Sequence, residues 1–136
     1  MDSHLVLEAS KASLTGVLPF SEIVRNLISA GVEFYHVDYI SLRFTFYGAE
    51  GDTVVVPLIF EDLPSIAPDL DVSALRAAIR DSQQKWQKYR DFTRRTRSAG
   101  VQSYFAFLRG QRVTYLGRQG DQHTEWFPGA TPREVP

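Results

Sequence analysis

Laid over itself at an offset of 69 residues, the chain matches from residues 20–52 to residues 89–121 without a gap, and eleven of the 33 pairs are identical. Ordinary composition gives roughly one identity in fifteen pairs, so chance accounts for about two. The identities are Arg25 with Arg94, Ser29-Ala30-Gly31-Val32 with Ser98-Ala99-Gly100-Val101, Tyr35 with Tyr104, Arg43 with Arg112, Thr45 with Thr114, Gly48 with Gly117, and Gly51-Asp52 with Gly120-Asp121. Carried back to the start, the same frame adds Asp2 with Asp71, Ala9 with Ala78 and Ser13 with Ser82. Two units within 136 residues are each too short for an independent core and must share one. The expectation is a single α+β domain over residues 1–136, with pseudo-twofold repeat units at about 2–60 and 71–128 and a tail at 129–136.

Each unit reads as helix, helix, hairpin and a third strand. In the first, Leu5, Val6, Ala9 and Ala12 recur at helical spacing, Pro19 interrupts, and Phe20, Ile23, Val24, Leu27 and Ile28 make a second stripe ending at Gly31, which suits a left-handed helix end. In the second, Asp71 is the N-cap, Leu75, Ala78 and Ile79 form the stripe, and Trp86, Tyr89 and Phe92 carry it towards Gly100 as a core face rather than a base-stacking platform. The repeat predicts a helix break between Gln84 and Lys88, because Gly16 to Pro19 holds the matching place. Residues 58–71 contain Pro64 and Pro68 and no basic residue, and read as a connecting loop.

The hairpins alternate. With two-residue turns at Ile40-Ser41 and Arg109-Gly110, Tyr39 faces Leu42, Val37 faces Phe44 and Tyr35 faces Phe46 on an apolar side packed on helices. The other side then carries Phe34 with Tyr47, His36 with Thr45, Asp38 with Arg43 as an ion pair, Phe105 with Thr114, and Phe107 with Arg112. Third strands are expected at Thr53 to Phe60 and Gln122 to Phe127, after the repeated Gly-x-x-Gly turns. A regular four-residue loop sets Thr114 opposite His123 and Arg112 opposite Glu125, bringing those groups to the same polar face. A bulge at the second glycine instead turns them to the opposite face.

That polar face is the expected site. His36-Val-Asp38 and His123-Thr-Glu125 each put an imidazole and a carboxylate side by side, as acid/base or metal chemistry requires, and these four are the candidate catalytic residues. The structural alternative has Asp38 paired to Arg43 and Glu125 to Arg112. Phe34, Arg43, Thr45, Tyr47, Phe105, Phe107, Arg112 and Thr114 are the candidate ligand-binding residues, since aromatics mixed with a few polar groups line both small-molecule pockets and homodimer seams.

Composition excludes more than it assigns. There is no cysteine, so thiol nucleophiles, disulfides and thiolate metal sites are absent, and only three His remain as metal ligands. No metal site is expected and no cofactor is indicated. There is no Gly-x-Ser-x-Gly elbow, Walker loop or dinucleotide fingerprint. No apolar run approaches the ~20 residues of a membrane span, and residues 1–13 lack a signal-peptide pattern, so a soluble cytoplasmic protein with no membrane partner is expected. The net charge of −1 hides an asymmetry. Residues 76–118 hold eleven Lys/Arg against Asp81 and Asp91, giving +9, and residues 49–75 hold six acids and no base, giving −6. The basic stretch, with Arg90, Arg94 and Arg97 at helical spacing, is the only feature that could face a phosphate backbone. A solvated helix packed against the acidic segment is preferred.

The runs Ser29-Ala-Gly-Val-Glu-Phe-Tyr-His-Val-Asp-Tyr39 and Gly117-Arg-Gln-Gly-Asp-Gln-His-Thr-Glu-Trp-Phe-Pro128, with Ile79-Arg-Asp-Ser-Gln83 between them, resemble a bacterial family of unknown function whose members are sometimes titled "phage envelope protein". The likeness covers roughly residues 20–128 and departs from the family pattern at Lys85, where a glycine is expected. It implies a small bacterial, prophage-associated protein and carries over no activity, cofactor or catalytic residue. The reading ranks a non-enzymatic domain first, binding a small molecule or a protein partner and forming a homodimer. An acid/base or metal-assisted enzyme comes second, and nucleic-acid binding through residues 76–118 third.

Overall fold

A computed structural model describes residues 1–16, 18–85 and 87–130. Its elements are α1 (Ser3–Thr15), α2 (Phe20–Ser29), β1 (Val32–Asp38), β2 (Arg43–Gly48), β3 (Thr53–Pro57), α3 (Val72–Gln84), α4 (Tyr89–Ser98), β4 (Val101–Phe107), β5 (Arg112–Gly117) and β6 (Gln122–Trp126). Every element of the second half starts 69 residues after its counterpart (Ser3 and Val72, Phe20 and Tyr89, Val32 and Val101, Arg43 and Arg112, Thr53 and Gln122). Lengths match as well: 13, 10, 7, 6 and 5 residues in each half.

The same local chemistry sets the same boundaries. Asp2 and Asp71 cap α1 and α3, each accepting a bond from the backbone N–H three residues on, at Leu5 and Ala74. At the far ends of α2 and α4 the chain turns through Gly31 and Gly100, at φ of 89° and 94°. Gly100 could be nothing larger. A Cβ there would stand 2.2 Å from the Asp69 carbonyl oxygen, on the connector that crosses it. The break between α3 and α4 falls at Lys85–Lys88, as the repeat predicts; Trp86 lies outside the described residues.

The six strands form one antiparallel sheet in the order β3-β2-β1-β4-β5-β6, so the class is α+β. At its centre β1 pairs with β4, and His36 lies opposite Phe105, its own counterpart 69 residues on. The helices cover one face. Tyr35, Val37, Phe44, Phe46 and Val56 from the first half and Tyr104, Ala106, Val113 and Tyr115 from the second are buried there against Val6, Ala9, Ile23, Leu27, Leu75, Ala78, Ile79 and Phe92. Thr93 and Thr96 on α4 are fully buried too, their hydroxyls satisfied by the carbonyls of Tyr89 and Phe92 one turn back.

The hairpin register is the one read from the sequence: Phe34 opposite Tyr47, Tyr35 opposite Phe46, Val37 opposite Phe44, and Tyr104 opposite Tyr115. The turns differ. Residues 39–42 and 108–111 leave the sheet altogether, closing through left-handed Leu42 and Gln111, both at φ near 56°. Tyr39 therefore does not pair with Leu42; its N–H bonds to the Gln102 carbonyl. The third strands stop three residues and one residue short of expectation, at Pro57 and Trp126.

The basic segment is engaged within the fold. Arg94 bonds the Asp62 carbonyl, Arg97 those of Pro64 and Tyr39, Arg118 that of Ile66, and Arg95 the Asp81 carboxylate. Arg94, Arg97 and Arg118 thus fasten the connector over α4 and β5. Among the described residues no helix is long and apolar enough to cross a membrane.

Candidate ligand site

The two faces of the sheet offer different chemistry. On the helix-free face Tyr47, Phe34 and Phe107 stand in a row across β2, β1 and β4, with Phe34 stacked on Tyr47 at 4.6 Å and 5.9 Å from Phe107. Phe105 continues it, stacked on Phe107 at 5.8 Å and on His36 at 4.3 Å. Arg112 lies over the Trp126 ring at 4.8 Å, and Thr114 bonds Thr124 at 3.1 Å. Thr45 stands between Val55 and His36 on the same face. Partial burial lowers the His36 pKa, with Arg43 adding to the shift and Asp38 opposing it, so this imidazole is neutral at pH 7.

Two sequence expectations fail on this face. Asp38 sits opposite Arg43 as predicted, but its carboxylate turns to its own loop, accepting bonds from the N–H groups of Ile40 and Ser41 and from the Ser41 hydroxyl at 2.7–3.1 Å. Burial alone would raise its pKa, and these bonds outweigh that and hold it low. The cross-strand ion pair is replaced by a loop cap. The second failure is one of register. Gly51 and Gly120 adopt φ of 85° and 88°, and the loops contain one residue more than a regular four-residue turn. Arg112 consequently faces Trp126 and Thr114 faces Thr124, not Glu125 and His123. A shift of one residue turns a whole strand over, so His123 and Glu125 lie on the helix side, opposite Tyr115 and Val113. The two His-acid pairs are on opposite faces and do not form one site.

The helix side holds the principal cavity. It has a volume of about 480 Å³ and lies between the four helices and the inner sheet face, inside the ~300–1,000 Å³ range of small-molecule sites. Exposed Pro19, Phe20, Gln83, Lys85 and Pro128 border it, and buried Tyr35, Phe46, Tyr104, Val113 and Tyr115 form its inner wall. The mouth lies where each helix pair breaks, and the two breaks meet there, because a Cβ on Gly16 would touch the Lys88 side chain at 3.4 Å.

Tyrosines make this wall distinctive. The Tyr89 and Tyr104 hydroxyls bond each other, and Tyr39, behind them, bonds Thr96 at 2.8 Å. Tyr35 and Tyr115 have no hydrogen-bond partner among the described residues, yet no fully buried polar side-chain atom there lacks one. Their hydroxyls are therefore not fully enclosed, and both residues line the cavity. Burial raises the pKa of all five phenols, that of Tyr39 to about 12, so they stay protonated throughout the physiological range. At one edge Glu125 lines the cavity, held by His123 at 2.8 Å and by Arg76 at 3.7 Å. Among the described residues no group of three or more His, Cys, Asp or Glu could hold a metal ion. No family model matches the chain, and no curated protein matches it.

The sequence carried one usable signal for this cavity. Tyr35, Tyr104 and Tyr115 all fall on the face read as apolar, where a phenol needs either a partner or a void.

Proposed function

We propose that the chain is a non-enzymatic small-ligand-binding domain whose site is the cavity between helices and sheet. The supporting observation is an apolar chamber of about 480 Å³ lined by Tyr35 and Tyr115, whose hydroxyls are not fully enclosed. Interiors normally pack at crystal density, and a chamber of this size beneath two helix breaks has the dimensions of a small-molecule site. The paired His/carboxylate groups of the enzyme reading are divided between the two faces, and of the arginines of the nucleic-acid reading Arg94, Arg97 and Arg118 bond the connector.

N-phenyl-1-naphthylamine, an uncharged probe whose fluorescence rises in apolar surroundings, tests the reading. The protein should enhance its emission saturably. Ala9→Leu, a substitution in the cavity wall at a position only 3% exposed, should weaken that binding. It should also be tolerated, whereas adding methylenes to a filled core costs about 1–3 kcal/mol. Absence of enhancement, or a destabilisation of that size with unchanged probe binding, refutes the proposal.

A further inference from the structure

Resting on that reading of the cavity, we infer that its ligand is an uncharged molecule carrying a carbonyl-type acceptor on a ring body, such as an aromatic or alicyclic ketone, ester or quinone, bonded by the Tyr35 and Tyr115 hydroxyls.

Two features of the wall lead there. The first is the absence of any ionic partner at depth. Besides the tyrosines, the ionisable residues bordering the cavity are Lys85 and Glu125. The Lys85 side chain is 76% exposed and lies 3.6 Å from Asp81, and Glu125 already accepts from His123. A carboxylate or ammonium brought inside would face hydrocarbon and neutral phenols, an arrangement costing several kcal/mol.

The second is the direction of the unused hydrogen bonds. Gln87 donates to the Ala78 carbonyl and to Ser82, and Ser10 donates to the Val6 carbonyl, so neither Gln87 nor Ser10 has a donor to give. The phenols of Tyr35 and Tyr115 each keep a hydrogen without a partner among the described residues. A phenol is a strong donor and a weak acceptor, so the complementary ligand atom is an acceptor, and a carbonyl-type oxygen supplies the lone pairs for it. Because burial keeps both phenols protonated, they remain donors up to the pH at which the protein itself fails.

Three naphthalenes of nearly equal size test this by displacing N-phenyl-1-naphthylamine: 2-acetonaphthone, 2-ethylnaphthalene and 2-naphthoate. The ketone should displace at the lowest concentration, the hydrocarbon at a higher one, and the carboxylate least well. Tyr35→Phe and Tyr115→Phe should each weaken the ketone about 3- to 10-fold, the worth of one neutral hydrogen bond, and leave the hydrocarbon unchanged. Tyr47→Phe, on the other sheet face, should alter neither. Neither cavity hydroxyl has a partner to lose among the described residues, so both variants should fold normally, which thermal melts check. Equal displacement by ketone and hydrocarbon, strongest displacement by the carboxylate, or indifference of both variants overturns the inference and leaves the cavity reading standing. If the fluorescent probe itself does not bind, the cavity reading falls first and this inference with it.

Discussion

Two chemically identical substitutions should have opposite effects on stability. Tyr39 is 1% exposed, and its hydroxyl lies 2.8 Å from Thr96 Oγ. The single hydroxyl hydrogen of Thr96 is directed at the Phe92 carbonyl at 2.9 Å, so Tyr39 is the donor. Tyr39→Phe removes that bond and leaves a wholly buried acceptor short of a partner, a loss of about 1–2 kcal/mol. Tyr35 is 6% exposed, comparably buried, but its hydroxyl has no partner among the described residues. Tyr35→Phe removes no bond and relieves an apolar wall of a polar atom, so it should change stability by between zero and about 1 kcal/mol in the stabilising direction. The two variants should therefore differ by about 1–3 kcal/mol. Urea unfolding without ligand reads this directly, as midpoints moving in opposite directions at constant m-value. If Tyr35→Phe costs as much as Tyr39→Phe, the Tyr35 hydroxyl is already satisfied in the empty protein. Such a hydroxyl has no bond left to give a ligand.

The left-handed glycines form a graded series. Gly51→Ala meets nothing within 4 Å and should cost only the conformational penalty of about 1–2 kcal/mol, whereas Gly100→Ala adds a 2.2 Å approach to the Asp69 carbonyl and should exceed it by at least about 2 kcal/mol. Equal urea midpoints for the two variants would show that the connector does not press on Gly100. The buried phenols set an alkaline limit. A phenol whose pKa is raised by folding stays protonated in the native state while the unfolded chain ionises, so stability is intact below pH 10 and falls above it by about 1.4 kcal/mol per pH unit for each group. With Tyr35, Tyr39, Tyr89, Tyr104 and Tyr115 all raised, the slope approaches about 7 kcal/mol per unit. Their phenolate absorbance should appear together with the loss of far-ultraviolet circular dichroism; ionisation in the intact fold would contradict their burial.

The fold was legible because it depends on residues the two halves share. Alternation in residues 32–39 and 43–47, with its counterpart in the second half, fixed both hairpin registers, since only one register puts Tyr35, Val37, Phe44 and Phe46 on a common face. The third strands were legible in place but not in register. Nothing in Gly117-Arg118-Gln119-Gly120 chooses between a regular loop and a bulge, and the choice rests on whether Gly120 takes a positive φ. That one dihedral carried His123 and Glu125 to the other face. Asp38 and Arg43 were misread for a related reason, because a side chain opposite a strand partner can bond its own loop at less entropic cost. Trp86, placed in the α4 stripe from sequence, lies outside the described residues.

The cavity was hidden for a further reason, which also bears on what it does. A duplicated sequence draws attention to positions where the halves agree, and these build the frame: the glycines at the helix ends and turns, and Tyr35 with Tyr104. Much of the remaining polar chemistry lies where the halves differ. Tyr89 and Tyr115 stand where the first half has Phe20 and Phe46, and His123 and Glu125 where it has Val54 and Val56. Each of these four changes adds a polar group to the second half's side of the shared core, and Phe20, Phe46, Tyr89, Tyr115 and Glu125 all border the cavity. Two copies of one unit would enclose a chamber with equivalent ends. Divergence has given this one three lining phenols on the second half's side, Tyr89, Tyr104 and Tyr115, against Tyr35 alone on the first, and so a direction. A site built for an apolar filler would have no use for that polarity, whereas a ligand with one polar end and one apolar end can occupy it in a single orientation only.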